Sequence, residues 1–145
     1  MRKAVYIAAV LSLAYVLSYV GQPADEAPFA TPSASNTEQV LQAYENRESN
    51  VQVRGQGTVI KVLPDDTQGS RHQKFLLRLA GGHTLLVAHN IDLAPRIEQL
   101  REGDSVGFHG EYEWNNKGGV IHWTHHDPNN RHTGGWLTHN GKTYQ

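Results

Sequence analysis

Residues 104–114 read "DSVGFHGEYEW". Val106, Phe108, Tyr112 and Trp114 fall on one parity, and His109, Glu111 and Glu113 on the other. Successive side chains of a strand point to opposite faces, so a strand separates these two sets where a helix would mix them. Burying each large apolar side chain is worth roughly 1.5–3 kcal/mol. The aromatic parity therefore faces a core, and the His/Glu parity faces outward.

Immediately downstream, "NNKG" (115–118) reads as a turn and "GVIHWTHHD" (119–127) as the returning strand. A register that sets Ile121 and Trp123 beside the core aromatics puts Trp114 opposite Gly119. Glu111 then lies across from His122, and His109 across from Thr124. A slip of one residue would exchange the faces. Directly opposed residues have Cβ atoms about 5 Å apart, so the outer face gathers His109, Glu111, Glu113, His122 and His126. His125 falls on the core parity and reads as a structural histidine.

Further from this hairpin, "VQVRGQGTVIKVLP" (51–64) alternates, with Gly55 and Gly57 suggesting a bent or bulged strand. "RHQKFLLRLA" (71–80) and "HTLLVAHNI" (83–91) are two strands joined at Gly81-Gly82. "DLAPRIEQLREG" (92–103) has Leu93, Ile97 and Leu100 at helical spacing and a glycine stop. Three strands, a helix and two strands is the order of an OB-fold, a five-stranded Greek-key barrel. The expected class is thus all-β with a short helix, OB-fold-like. The tail "PNNRHTGGWLTHNGKTYQ" (128–145) is turn-rich, with Trp136, Leu137 and Tyr144 available to fold back. Before the barrel, Ser35 and Glu38 form a capping-box pattern ahead of Val40, Leu41 and Tyr44, which places a short helix at 37–47.

The chain opens Met1-Arg2-Lys3 and continues with an apolar run over 4–20. Such a layout is that of an export signal. At 1.5 Å per residue the run spans roughly 26 Å, near the roughly 30 Å hydrocarbon core. Residues 1–21 are accordingly expected to be a signal peptide or a signal anchor in the inner membrane, 22–36 a Pro/Ala/Ser-rich linker, and 37–145 a single OB-like domain with an N-terminal helix. The location implied is periplasmic or extracellular, and the domain is expected to be monomeric. There is no cysteine, which excludes disulfides and thiolate metal sites. Without Arg2 and Lys3, 11 of the 13 basic residues remain against 14 acids, a net charge of about −3. Bulk electrostatic binding of nucleic acid usually needs a strongly basic domain. Nine histidines would nevertheless swing the charge positive in mild acid.

A carboxylate beside several imidazoles supports two chemistries. His122, His126 and Glu111 are candidate ligands for a divalent metal (zinc, magnesium or manganese), whose bound water is a nucleophile near neutral pH. The same groups with His109 are candidate metal-free acid–base residues. The bland alternative is a solvated face whose Glu–His pairs add a few tenths of a kcal/mol. A second cluster joins His72, Lys74 and Arg78, on the parity opposite Phe75, Leu77 and Leu79, to His89, Asn90, Asp92 and Arg96, where the third strand meets the expected helix. These are candidate substrate contacts, although for Asp92 a helix cap is the favoured reading.

At "HQKF" (72–75), "AHNIDLAPRI" (88–97), "GEYEWNNKGGVIHWTHHDP" (110–128) and "GGW" (134–136), the chain resembles a family of small bacterial exported proteins classed as a domain of unknown function (family 3465). The likeness spans about residues 50–145 and implies no particular activity. "VIKVLPDDT" (59–67) and "LLVAHNIDLAP" (85–95) are also similar to the two motifs of the OB-fold thermonucleases, at Asp65, Asp66, Thr67, Asp92 and Pro95. The arginine ahead of the second motif is absent, and Arg96 stands near the place of the general-base glutamate. That likeness implies a barrel able to process phosphodiesters, without the calcium mechanism. Three functions are therefore expected as alternatives. One is a His-dependent, metal-assisted phosphodiesterase or nuclease. Another is a non-catalytic module binding single-stranded nucleic acid or oligosaccharide. The third is an envelope protein sensing pH or metal.

Overall fold

The computed structural model describes residues 34–145. The expected export segment and residues 22–33 of the expected linker lie outside the described residues. Seven strands follow one helix: α1 (Ala34–Glu45), β1 (Val51–Val62), β2 (His72–Leu79), β3 (Thr84–Asn90), β4 (Ser105–Glu113), β5 (Val120–His122), β6 (Trp136–His139) and β7 (Lys142–Tyr144). They are ordered β1-β2-β3-β5-β4, and β4 returns to pair with β1, closing a five-stranded barrel. β3 and β5 run parallel, while the other pairs are antiparallel. This is the OB-like Greek-key barrel that the strand order implies. Among the described residues no helix is long and apolar enough to cross a membrane.

β1 serves two partners because it bends. Residues 51–58 pair with β4 and 57–62 with β2, and the register slips between Val59 and Lys61, an added residue of the kind that kinks a strand. Phe75, Leu77, Leu85, Val87, Val106, Phe108, Tyr112 and Ile121 fill the interior. The β4–β5 register is Glu111↔His122, Tyr112↔Ile121 and Glu113↔Val120, as the alternation requires. α1 closes one end with Val40 and Ala43. Its last turn ends with Glu48 N–H bonded to Ala43 O (2.8 Å) and Arg47 N–H to Tyr44 O (3.1 Å). Such a paired closure needs a left-handed residue, here Arg47 at φ 56.

Three expectations are corrected. Residues 91–104 form turns, with no helix between β3 and β4. Gln73, buried on β2, accepts from Ile97 N–H and donates to Ile97 O, both at 2.9 Å. That side chain takes the backbone groups a helix would use, and Pro95 lacks the N–H a helix interior requires. Second, β5 ends at His122, because Trp123 adopts φ 54. The left-handed residue breaks the alternation: Thr124 and His125 are both buried, and Trp123 is only half-buried. Third, the tail folds back as strands. β6 pairs with β4 (Phe108↔Leu137, His109↔Trp136), so His109 faces β6 instead of Thr124.

His89 points inward from β3 and is fully buried. Its Nε2 lies 3.0 Å from Pro95 O and its Nδ1 2.7 Å from Thr124 Oγ1. A carbonyl only accepts, so Nε2 carries the proton and Nδ1 takes the threonine hydroxyl's. The neutral ring is satisfied, and burial lowers its pKa to about 4, with the charges of His125 and His72 adding to that and the Pro95 bond opposing it. A lowered value means the unfolded chain binds this proton first as pH falls. His89 therefore adds stability, on the order of 3 kcal/mol, that is present above pH 6.5 and lost as pH falls toward 4. Melting temperatures should drop across that interval, and the drop should be shallower in His89→Gln. Parallel curves for the two proteins would refute the assignment.

Candidate functional site

Strand register carries the two sequence clusters onto one surface. Lys74 pairs with Ala88, and Ala88 follows Val87, the partner of Ile121, which brings it beside His122. His122 pairs with Glu111, and Glu111 with Gln52. The outward row Lys74, Ala88, His122, Glu111, Gln52 thus crosses all five barrel strands. Two cavities open on this row. One of about 640 Å³ is lined by Asp66, His72, Lys74, Glu113, Trp114 and His122, among others. The other, about 250 Å³, is lined by Ser70, His72, Asn90, His122, Trp123 and His125, among others. His72, Ala88 and His122 border both.

Glu111 is the anchor of this surface, only 9% exposed. Its Oε2 receives His132 Nε2 at 2.5 Å and Gln52 Nε2 at 3.4 Å. His132 Nδ1 lies 2.8 Å from Thr133 O, which can only accept. Both ring nitrogens therefore carry protons, and His132 faces Glu111 as an imidazolium. Burial pulls its pKa down. The hydrogen bonds to Glu111 and Thr133, with the charges of Glu111 and Asp127, outweigh that and hold it above the ordinary value. Its ring stacks on Trp123 with centroids 3.9 Å apart and planes at 14°. Asp127 sends the chain back there: its carboxylate accepts the N–H groups of Asn129, Arg131 and His132 at 3.0, 2.7 and 2.9 Å.

His122 differs. Its Nε2 is 3.0 Å from Glu113 Oε2 and 3.6 Å from Glu111 Oε1, yet it makes no hydrogen bond and the atom is buried. Gln52 Oε1, on the other side of Glu111, is likewise buried without a partner. A buried polar atom left unpaired costs about 1–3 kcal/mol. Two of them flank one carboxylate. Among the described residues no three His, Asp or Glu side chains stand assembled as a metal cage.

The remaining candidates disperse. His72 gives its Nδ1 proton to Ser70 O (2.8 Å), so that bond leaves Nε2 for the cavities. Lys74 is 3.9 Å from Asp66. Asn90 Oδ1 accepts from Asp92 N–H at 2.9 Å. Asp92 caps no helix. It takes the N–H and Nε of Arg71 at 2.8 and 2.7 Å, and these hold its carboxyl below the ordinary value. Arg96 is bound by Asp65 (2.9 Å) and Glu98 (3.3 Å). His89 belongs to the core, and Arg78 is exposed near the far end of β2. His109 packs beside Trp136, where burial and then the Arg54 charge lower its pKa against a Gly134 backbone bond. The ring of His126 is exposed, and no hydrogen bond or ion pair ties it to Glu111 or His122. Sequence reasoning missed His132, Asp127 and Gln52 as members of the site, and placed Glu113 on the outer face without giving it a role. The signal was present in "HDPNNRH": an aspartate before Pro-Asn-Asn is a turn builder, and turning the chain returns His132 toward Glu111.

The raised pKa of His132 gives stability that is complete below about pH 6.5 and lost as pH rises through the folded value. His132 is partly solvated, so solvent screening keeps its coupling to Glu111 to about 1 kcal/mol or less. A double-mutant cycle of Glu111→Gln and His132→Gln should find this coupling at pH 6 and a smaller one at pH 8.5. Equal coupling at both values would refute the imidazolium assignment.

Comparison with known proteins agrees with the motifs. No curated protein matches the chain. The family model described as "Protein of unknown function (DUF3465)" matches residues 26–145, which covers the whole barrel and both cavities, and the chain belongs to that family.

Proposed function

We propose that the protein is an exported, metal-assisted phosphodiesterase whose reactive centre is His122. The observation that carries this reading is the buried, unpaired Nε2 of His122 between Glu111 and Glu113. Donor atoms bound to one tetrahedral zinc lie roughly 3.3 Å apart, from bond lengths of about 2.0–2.1 Å. The separations of 3.0 and 3.6 Å bracket that value. Glu113 is 53% exposed on its side chain and free to swing onto an ion, while Glu111 is fixed by His132.

Electrostatics argues for the metal. Asp66 and Glu113 outnumber Lys74 in the lining of the larger cavity, and Glu111 stands 3.6 Å behind His122. A phosphate about 4 Å from one carboxylate is repelled by about 4 kcal/mol at an effective dielectric of 20. His122, Glu111 and Glu113 would hold a divalent cation, which would reverse that sign and supply an activated water. Imidazole with carboxylate suits zinc, and carboxylates also suit manganese and magnesium. That water would attack phosphorus, and the phosphorus–oxygen ester bond would break. His72, whose Nδ1 proton is held by Ser70 O, would accept the water's proton at Nε2 and pass it to the departing alkoxide, and Lys74 would offset charge on the phosphoryl oxygens. His132 does not serve as the base, since both its nitrogens already donate.

Metal-stripped protein should bind zinc or manganese by calorimetry, and bis(4-nitrophenyl) phosphate hydrolysis should appear only with metal. His122→Ala should lower kcat/KM at least about a hundredfold. If zinc, manganese and magnesium neither bind nor support hydrolysis of this ester or of a single-stranded oligonucleotide, the proposal fails. Oligonucleotide binding without turnover would point instead to a binding barrel.

A further inference from the structure

A third cavity, about 620 Å³, lies on another side of the barrel, over the outward faces of β1, β4 and β6. Its lining contains Arg54, Thr58, Arg78, Gly107, Trp136 and Thr138, and no Asp or Glu. Among the described residues neither arginine is in an ion pair with a carboxylate, in contrast to Arg71 and Arg96. Arg54 is ordered by the ring of Trp136, with its guanidinium carbon 5.4 Å from the centroid. Arg78 enters from the other side, paired with Thr58. Gly107 keeps the floor open: a Cβ there would collide with the Thr138 hydroxyl.

Spacing admits an extended ligand. Arg54 and Thr58 are four residues apart on β1, about 13 Å at 3.3 Å per residue. Guanidiniums carried on backbones that far apart, one toward each end of the groove, can each take a separate anionic group. They suit successive anionic groups on an extended chain. We infer that this groove is a second binding site, one that holds the phosphodiester backbone of a single-stranded nucleic acid between Arg54 and Arg78. Planar guanidinium matches phosphate bidentately. The face fits a flexible single strand because its walls are short polar side chains and one indole. The groove also connects to the first surface, since Arg54 pairs with His109 and Gln52 with Glu111 on the same β1–β4 ladder. The site stands whether or not His122 hydrolyses anything.

Binding of an oligodeoxythymidylate of about eight nucleotides, within the roughly 4–16 an OB barrel covers, tests this by fluorescence anisotropy at several salt concentrations. Wild type should bind with a log–log salt slope of about −1.4 for two phosphate contacts. Arg54→Gln and Arg78→Gln should each weaken binding about tenfold and reduce the slope by about 0.7. Arg78 is exposed, so its variant keeps the test valid should Arg54→Gln disturb packing. With EDTA present throughout, binding should persist, which separates this site from the proposed metal-dependent reaction. Unchanged affinity in both arginine variants would overturn the inference. So would binding of a sulfated oligosaccharide with no binding of the oligonucleotide.

Discussion

One edge of β4 must serve two partners. Along its other edge β4 pairs with β1 throughout, but on this edge β5 occupies residues 111–113 and β6 residues 106–109. The exchange happens at Gly110, where a Cβ would stand 2.5 Å from the His122 carbonyl oxygen. It is completed at Gly135, where a Cβ would collide with the carbonyl oxygens of Trp123 and His109. Two glycines at one crossing let three strand ends approach closely, as side chains could not. From that exchange the loop at 123–135 follows. The chain leaves β5 at Trp123 with a positive φ, turns on Asp127, and returns with His132 held on Glu111. The site's shape is a consequence of how the sheet is closed.

The parts of the fold legible in the sequence were those set by alternation over several residues. β4 announces its buried face through Phe108 and Tyr112, and fixing that face determines the Glu111↔His122 register. β2 does the same with Phe75, Leu77 and Leu79. Legibility ended where one residue's conformation overrides the period. Trp123 at φ 54 buries Thr124, which parity had placed outside. It also frees Trp123 from the core, so that its ring becomes a platform for His132. Leu93, Ile97 and Leu100 have helical spacing, yet Gln73 satisfies Ile97's backbone from a neighbouring strand, a partner that local sequence does not reveal. β6 was hidden because four residues among glycines carry too little period, and its existence depends on the open half of the β4 edge.

The nine histidines divide by what holds their protons. His89 is kept neutral by burial with both nitrogens occupied, and His139 is tied to Asp104 at 2.8 Å. His125 gives Nδ1 to the His126 carbonyl at 2.6 Å. His132 is charged and spent on Glu111. Histidine density alone therefore overstates the chemistry of "HWTHHDP". What separates His122 from its neighbours is that two carboxylates approach its Nε2 and neither aligns to bond it.

Net charge conceals a second division. The near balance of 13 basic and 14 acidic residues argues against a polyanion ligand only if the charges are mixed. They are sorted. Asp66, Glu111 and Glu113 gather toward β5 and its neighbours, while Arg54 and Arg78 line the β1–β6 side without a carboxylate. Between the two stand Gln52 and His109, neutral side chains on the shared β1–β4 ladder. An extended phosphodiester held on the arginine side would meet increasing repulsion as it ran along that ladder toward Glu111. A cation at His122 would remove that barrier at the place where the unpaired nitrogen lies, and the same ion would then both admit the strand and activate water against it.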